Sequence, residues 1–349
     1  MFAIGLGVPI SPLLASKMGA NWVEIGSMGI TWGSVFALSA FLTGRLSDRI
    51  GRKPVLALSA ALSALAALLF LRAASVLDLI GIRGLEGLAW ACFWPPMEAL
   101  ATETSDADQL GRGIGLVTTI YSLAFATGSF VGGYITSLAG FSVVYASYLG
   151  ISSLAIPAAL LIKAPRRPQA SQSSFRAWTM KKLFSCNSAI GYFLGAAYTF
   201  GFANVWVLLS VYAAGIGIAV FWIGFTFSIF WLGRILGAAG AAGASDRFGR
   251  KHTAILALGG GFVGFILIGL AREPLFLAAG ALLAGLSIGA VFPVNVAIIA
   301  DDIEPDLRGS AMGVYEMACA TSFMIASAVG GITAEIVNPR APYAVSALV

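Results

Sequence analysis

The chain has 349 residues, of which 58% are hydrophobic and only 11% are charged, and its mean hydropathy is +0.89. Because the surface of a water-soluble protein carries roughly a quarter or more of charged residues, this composition excludes a soluble globular protein and indicates an exterior that faces a lipid bilayer. The formal net charge of +5 does not indicate a nucleic-acid partner, since the lysines and arginines lie in short loops between apolar runs.

Ten apolar runs along the chain are each long enough for a membrane-spanning helix of about 20 residues. They lie at 24–46, 54–71, 78–101, 113–138, 141–162, 183–215, 219–242, 253–270, 275–299 and 309–336. Shorter runs at 1–14 and 342–349 would extend only ~21 Å and ~12 Å as helices. We therefore expect a chain truncated in the first and last of twelve spans; a genuine ten-span protein is the alternative.

Basic residues mark one side of the membrane. With the run at 1–14 counted as the first span, Lys and Arg cluster after the second, sixth and eighth spans. Cytoplasmic loops are enriched in these residues, so we predict that these loops and both complete termini are cytoplasmic and that the protein lies in the plasma (inner) membrane. The polar stretch at 164–182 is predicted to link an N-terminal half, 1–163, to a C-terminal half, 183–349.

The two predicted halves share a repeated sequence. GRLSDRIGRK at 44–53 returns as AGASDRFGRK at 242–251, which places Asp48 and Asp246 198 residues apart. The same offset relates Gly87 to Gly285, and the glycine pair at 132–133 to the pair at 330–331. Because one offset aligns several separate places, we predict two parallel six-span halves related by an axis along the membrane normal.

The repeated sequence resembles the G-x-L-x-D-R-x-G-R-K signature of the major facilitator superfamily. The matching residues are Gly44, Leu46, Asp48, Arg49, Gly51, Arg52 and Lys53 in the first copy and Asp246, Arg247, Gly249, Arg250 and Lys251 in the second. The resemblance implies an all-α membrane protein with the major facilitator fold, in which two pseudo-symmetric six-helix bundles transport a small molecule. It also implies a monomer that needs no cofactor.

The resemblance further implies a conformational latch between the halves. Asp48 is expected near Arg308, at the start of the eleventh span, and Asp246 near Arg112, at the start of the fifth. Helix N-termini attract carboxylates, so both contacts would stabilise the state in which the cytoplasmic side is closed. The alternative is a pair of basic turns that only set the membrane topology.

A few charged residues are predicted inside the membrane, where charges are costly and usually functional. We hypothesise that Glu86 or Glu316 binds and releases a proton, with Arg83 controlling the charge of Glu86 from one turn away. By resemblance, the family's fourth-span arginine is linked to coupling. The alternative for Arg83 and Glu86 is a static ion pair. Arg234 is a further candidate, although Arg234 and Glu98 are near enough to the interfaces to extend toward them.

Aromatic residues are dense in the seventh and eighth spans, where we expect some of them to line an apolar cavity; the alternative is packing against lipid and at the membrane interfaces. The candidate lining residues are Trp90, Tyr198, Asn204, Trp206 and Asn295. Such a cavity with one or two carboxylates suits a hydrophobic, cationic substrate. GSFVGG at 128–133 resembles an element of drug and proton antiporters, with Ser129 in place of proline, and favours export.

These observations predict proton-coupled export of a hydrophobic or amphipathic compound. A proton-coupled transporter of a metabolite such as a sugar or organic acid is the first alternative, and a non-transporting membrane sensor on the same fold is the second. An ATP-driven pump is excluded because the chain has no G-x-x-x-x-G-K-[ST] loop. The sole histidine, His252, lies in a basic loop and the three cysteines are far apart, so we predict neither an enzyme nor a metal site.

Overall fold

The computed structural model describes residues 1–104, 110–162, 186–304 and 307–349, and regular structure within them is helical. The helices of the first part are α1 (Phe2–Gly7), α2 (Ser11–Lys17), α3 (Trp22–Ile50), α4 (Arg52–Phe70), α5 (Val76–Thr104), α6 (Leu110–Ala139) and α7 (Phe141–Leu161). Those of the second are α8 (Cys186–Gly215), α9 (Val220–Phe248), α10 (Arg250–Leu270), α11 (Pro274–Asp302), α12 (Arg308–Ile336) and α13 (Ala341–Leu348). The predicted linker at 164–182 lies outside the described residues.

Each of the ten predicted spans corresponds to one long helix, from α3 to α12. Within the described residues, nine helices are long and apolar enough to cross a membrane. The remaining predicted span is α5, whose apolar character is reduced by Arg83, Glu86 and Glu98. The all-α architecture expected from the sequence is confirmed.

Two glycines set the turns of the repeated sequence. Gly51 joins α3 to α4 with φ +100° and ψ 163°, and Gly249 joins α9 to α10 with φ +84° and ψ 154°. A side chain with a Cβ atom rarely adopts these angles, so glycine allows helices to end and restart within one residue. We refer to the end of the bundle that carries these two turns as the basic end, and to the other as the opposite end.

Helices of the two halves cross at the opposite end without intervening side chains. A Cβ atom built on Gly133 of α6 would lie 2.7 Å from the Cα atom of Gly224 on α9, and one built on Gly26 of α3 would lie 3.2 Å from the Cα atom of Gly331 on α12. Small residues allow such backbone contact in membrane proteins. The halves therefore meet along two matching helix pairs, α6 with α9 and α3 with α12.

The helices at the two ends of the chain pack within their own halves, whereas α2 also contacts α8 of the second half. Helix α1 lies against α6 and α7, and α13 lies against α10 and α8. Gly5 of α1 faces the backbone of Phe125 and Gly128 on α6, at 3.2 and 3.3 Å from a built Cβ atom. The terminal apolar runs of the sequence are thus integrated into the bundle rather than lying on its surface.

Candidate functional site

A cavity of about 130 Å³ lies between the two halves. It is lined by α3, α5 and α6 from the first half and by α8, α9, α11 and α12 from the second. Most of the lining is aromatic, with Trp32, Phe36, Trp90, Trp94, Tyr121, Tyr198, Phe202, Trp206, Trp231, Phe292 and Phe323. A largely apolar concave site with few polar groups is typical of small-molecule binding.

Trp206 connects the aromatic residues of the two halves. Its ring centroid lies 6.2 Å from that of Trp32 and 6.5 Å from that of Trp90 in the first half, and 5.3 Å from Phe202 and 5.9 Å from Trp231 in the second. These distances are within the range of favourable aromatic pairing. Trp90, Tyr198 and Trp206, three candidate lining residues, all lie at this cavity.

The two predicted asparagines do not line the cavity. Asn204 is fully buried, and its amide donates to the Ser346 hydroxyl on α13 over 2.8 Å. Asn295 is fully buried as well, and its amide has no hydrogen-bond partner among the described residues. The expectation for these two residues is therefore corrected, because both lie on helix faces that pack inside the C-terminal half.

Arg234 is held inside the cavity by aromatic rings. Its guanidinium carbon lies 5.1 Å from the ring centroid of Trp231, 5.4 Å from that of Phe202 and 5.6 Å from that of Tyr121. Each contact is within the range of a cation–π interaction. Arg234 therefore does not extend to the membrane interface, which was the alternative for this residue.

Glu316 supplies the cavity with a carboxylate. Within the described residues, Glu316 and Arg234 are the charged side chains of the lining, and they form no ion pair with each other. Tyr198 lines the same cavity, and its hydroxyl accepts a hydrogen bond of 3.2 Å from the Tyr315 hydroxyl. Glu98 lies toward the basic end of α5 and is not part of the cavity lining.

Arg83 and Glu86 lie outside the cavity lining, inside the N-terminal half. They form a buried ion pair, with only 3% and 5% of the residues exposed. The Tyr148 hydroxyl of α7 donates to the other oxygen of the Glu86 carboxylate over 3.1 Å. At the 198-residue offset, the C-terminal half has Ala281 and Ala284, so its fold forms without a matching ion pair.

The predicted latch residues lie at the basic end. Asp48 pairs with Arg52 of its own turn over 2.6 Å and is more than half exposed, while Arg250 pairs with Asp301, at the end of α11, over 2.8 Å. A Cβ atom on Gly44 would lie 4.0 Å from Pro95 of α5. The remaining turn residues are Arg49, Lys53, Arg247 and Lys251. The side chains of Arg112, Asp246 and Arg308 lie outside the described part, so their expected contacts with the turns remain predictions.

Comparison with known proteins identifies the family of this chain. The sequence profile of the Major Facilitator Superfamily matches residues 1–198 and again residues 191–349. The chain belongs to the Major Facilitator Superfamily. As a member of this family, it is a multi-pass integral membrane protein that transports small molecules.

Relatives of this transporter come from several microorganisms. It is 26% identical to the multi-drug resistance efflux pump PmrA of Streptococcus pneumoniae, over 83% of this chain and 75% of the pump. It is 20% identical to the MFS-type transporter MJ1560 of Methanocaldococcus jannaschii, over 100% of this chain and 92% of that protein.

Solved structures share the fold of this transporter. The nucleoside transporter NupG superposes with a TM-score of 0.76 at 15% identity, covering 99% of this chain and 93% of that one. A bacterial homologue of the lysosomal transporter Spinster, in an inward-facing conformation, superposes with a TM-score of 0.69 at 14% identity, covering 96% of this chain and 78% of that one.

Part of the contact between the halves was not predicted from the sequence. The 198-residue offset also relates Gly26 to Gly224 and Ser129 to Ser327. A Cβ atom on Gly26 would lie 2.5 Å from the Ser327 carbonyl oxygen, and one on Gly224 would lie 2.6 Å from that of Ser129. Applying the offset to every glycine would have marked Gly26 and Gly224 as repeated positions, although not the helices that they contact.

Proposed function

We propose that this transporter exports hydrophobic or amphipathic aromatic compounds in exchange for protons, with the basic end at the cytoplasm and Glu316 as the proton-binding residue. The observation that carries the proposal is the position of Glu316, the acidic residue of an otherwise mainly aromatic lining. Sequence similarity to the efflux pump PmrA supports export.

Competition at one carboxylate would couple the two fluxes. Ionised Glu316 attracts a cationic group, and aromatic rings around it bind the apolar body of the same molecule. A protonated carboxyl group has lost that attraction, so the proton and the cation occupy Glu316 in turn. Exchange follows when each occupied state changes conformation more readily than the empty, charged one.

Glu86 is less suited to this role than Glu316. Its carboxylate is already paired with Arg83 and accepts a hydrogen bond from Tyr148. Glu86 also does not contribute to the cavity lining. We therefore assign proton exchange to Glu316 and a structural role to the Arg83–Glu86 pair.

Everted membrane vesicles test the proposal. Uptake of ethidium, a fluorescent aromatic cation, is followed under an imposed gradient with the vesicle interior acidic, and rates are normalised to the amount of protein. We expect gradient-driven uptake by the wild type and by Glu86→Gln, and loss of the gradient dependence in Glu316→Gln. Glu273→Gln is the matched control, since Glu273 is exposed at the start of α11.

Two results would count against the proposal. Absence of ethidium uptake by the wild type would contradict export of aromatic cations and favour a metabolite as the substrate. Gradient-driven uptake that survives Glu316→Gln but disappears in Glu86→Gln, at equal protein levels, would return the coupling role to Glu86.

A further inference from the structure

The cavity contains a guanidinium group and an ionisable carboxyl group that form no ion pair with each other. Arg234 enters from α9 and Glu316 from α12, and both line the same space. Tyr198 lines the same cavity, so the three side chains border a common volume. Charges held away from water are stabilised when each meets an opposite charge.

Within the described residues, the guanidinium of Arg234 contacts aromatic rings but no acidic side chain. The rings of Tyr121, Phe202 and Trp231 stabilise its positive charge through their π systems. These contacts supply no lone pair for the N–H groups of the guanidinium. Within the described residues, Arg234 forms neither an ion pair nor a hydrogen bond, so its planar donor edge is available to a carboxylate, which it fits in a bidentate manner.

The aromatic contacts also restrict the orientation of this guanidinium. A long arginine side chain in water samples many rotamers and loses entropy when it binds an anion. Three rings at 5.1 to 5.6 Å reduce that freedom before any ligand arrives. The binding of an acidic group is therefore preorganised.

We propose that Arg234 binds an acidic group of the substrate while Glu316 binds its amine, so that the preferred substrates are aromatic zwitterions. The proposal rests on the proposed function, which makes this cavity the transport site, and it narrows the substrate class. A cation without an acidic group leaves Arg234 unpaired, and an anion without an amine leaves Glu316 unpaired. The zwitterion satisfies both charges, and its ring system lies against the aromatic lining.

Three matched probes distinguish the charge requirements. The first is a fluorescent quinolone with a free carboxyl group and a protonated piperazine, the second is its ethyl ester, and the third is its N-acetyl derivative. Binding of each to the purified protein in lipid nanodiscs is measured by fluorescence polarisation at pH 7. We expect the zwitterion to bind roughly tenfold or more tightly than either derivative, since a hydrogen-bonded charge contributes that much.

Substitutions at Arg234 assign the preference to its side chain. Arg234→Met should weaken binding of the zwitterion roughly tenfold and leave binding of the ester within twofold, which removes the preference for the free acid. Arg234→Lys keeps the positive charge but loses the planar set of N–H donors. We therefore expect its preference for the free acid over the ester to lie between those of the wild type and Arg234→Met. Arg272→Met is the control, because Arg272 is exposed after α10. Thermal unfolding of each variant shows whether it is folded.

Equal binding of the free acid and the ester by the wild type would overturn this inference. So would folded Arg234→Met and Arg234→Lys variants whose affinity for the free acid falls by the same factor as their affinity for the ester. No binding of any probe would overturn it too. Ethidium export in vesicles distinguishes the two proposals: export that persists alongside these results means that the aromatic transport site stands without zwitterion recognition, whereas loss of export removes the proposed function itself.

Discussion

Gly133 and Gly224 face each other across α6 and α9 so closely that a Cβ atom built on either would lie 2.7 Å from the Cα atom of the other. Gly331 and Gly26, which occupy the same positions in the internal repeat, meet across α12 and α3. The halves are thus joined at the opposite end by two pseudo-symmetric backbone contacts. Any conformational change that opens this end must separate both pairs.

We predict that Gly133→Ala destabilises the conformation in which the opposite end is closed. The new methyl group would collide with the backbone of α9, and overpacking of this kind costs about 1–3 kcal/mol. This cost would lower the ratio of closed to open conformations roughly 5- to 150-fold. Spin labels at the exposed Leu138 and Val337 report the separation of the halves. Gly115→Ala, on the same helix with nothing within 4 Å, is the control; an unchanged distance distribution in Gly133→Ala would contradict the prediction.

Glu335 is expected to stabilise the closed conformation of the same end through a hydrogen bond between the halves. Its carboxylate accepts the Trp22 backbone N–H of the other half over 2.9 Å, at the N-terminus of α3. A carboxylate at an exposed helix N-terminus contributes about 0.3–1 kcal/mol, so Glu335→Ala should raise the population opened at this end about two- to fivefold. The same spin-label pair measures this shift, with Glu273→Ala as the control. An equal increase of the open population in the control would contradict the prediction, because loss of any carboxylate at this end would then open it equally.

The Arg83–Glu86 pair is expected to stabilise the N-terminal half. Removing one partner of a buried ion pair leaves an uncompensated charge and costs about 3–5 kcal/mol. We expect Arg83→Met and Glu86→Gln each to lower the free energy of unfolding in detergent by this amount. The double variant should lose much less than the sum of the two, because neither charge is then left unpaired. Additive losses would mean that the two residues act separately.

Trp206 is predicted to be a main contact for an aromatic substrate. Its ring adjoins those of Trp32, Trp90, Phe202 and Trp231 at the cavity. An aromatic pair contributes about 0.5–1.5 kcal/mol beyond its buried area, so Trp206→Leu should raise the ethidium Kd by roughly 3- to 10-fold. Phe193→Leu is the control on the same helix, since Phe193 is 65% exposed. The prediction fails if both variants bind ethidium like the wild type.

The linear pattern identified the helices and their turns. Apolar runs interrupted by short polar segments predicted α3 to α12, because a lipid environment requires about 20 apolar residues in succession. The glycines of the repeated sequence indicated the turns at Gly51 and Gly249, where a sharp reversal needs angles that only glycine adopts readily. The repeat and its match to a family signature led to the fold of two six-helix bundles.

The order of apolar and polar residues did not reveal which face of each membrane helix packs inside the protein. A soluble helix reveals its buried face through polar residues on the other side, whereas a membrane helix is apolar on its lipid face and on its packed face. The sequence therefore gave no means to separate Glu86, which faces α7, from Glu316, which faces the cavity. Asn204 was expected at the cavity for the same reason, and it contacts α13 instead.

The sequence by itself determined that this protein is a bundle of membrane helices in two repeated halves, because hydropathy and the 198-residue offset depend only on the order of residues. Only the tertiary structure decided which charges share a site. Arg234 and Glu316 are 82 residues apart in the sequence, and they line one cavity because α9 and α12 both border the space between the halves. That proximity arises from the packing of several helices and has no counterpart in any local pattern.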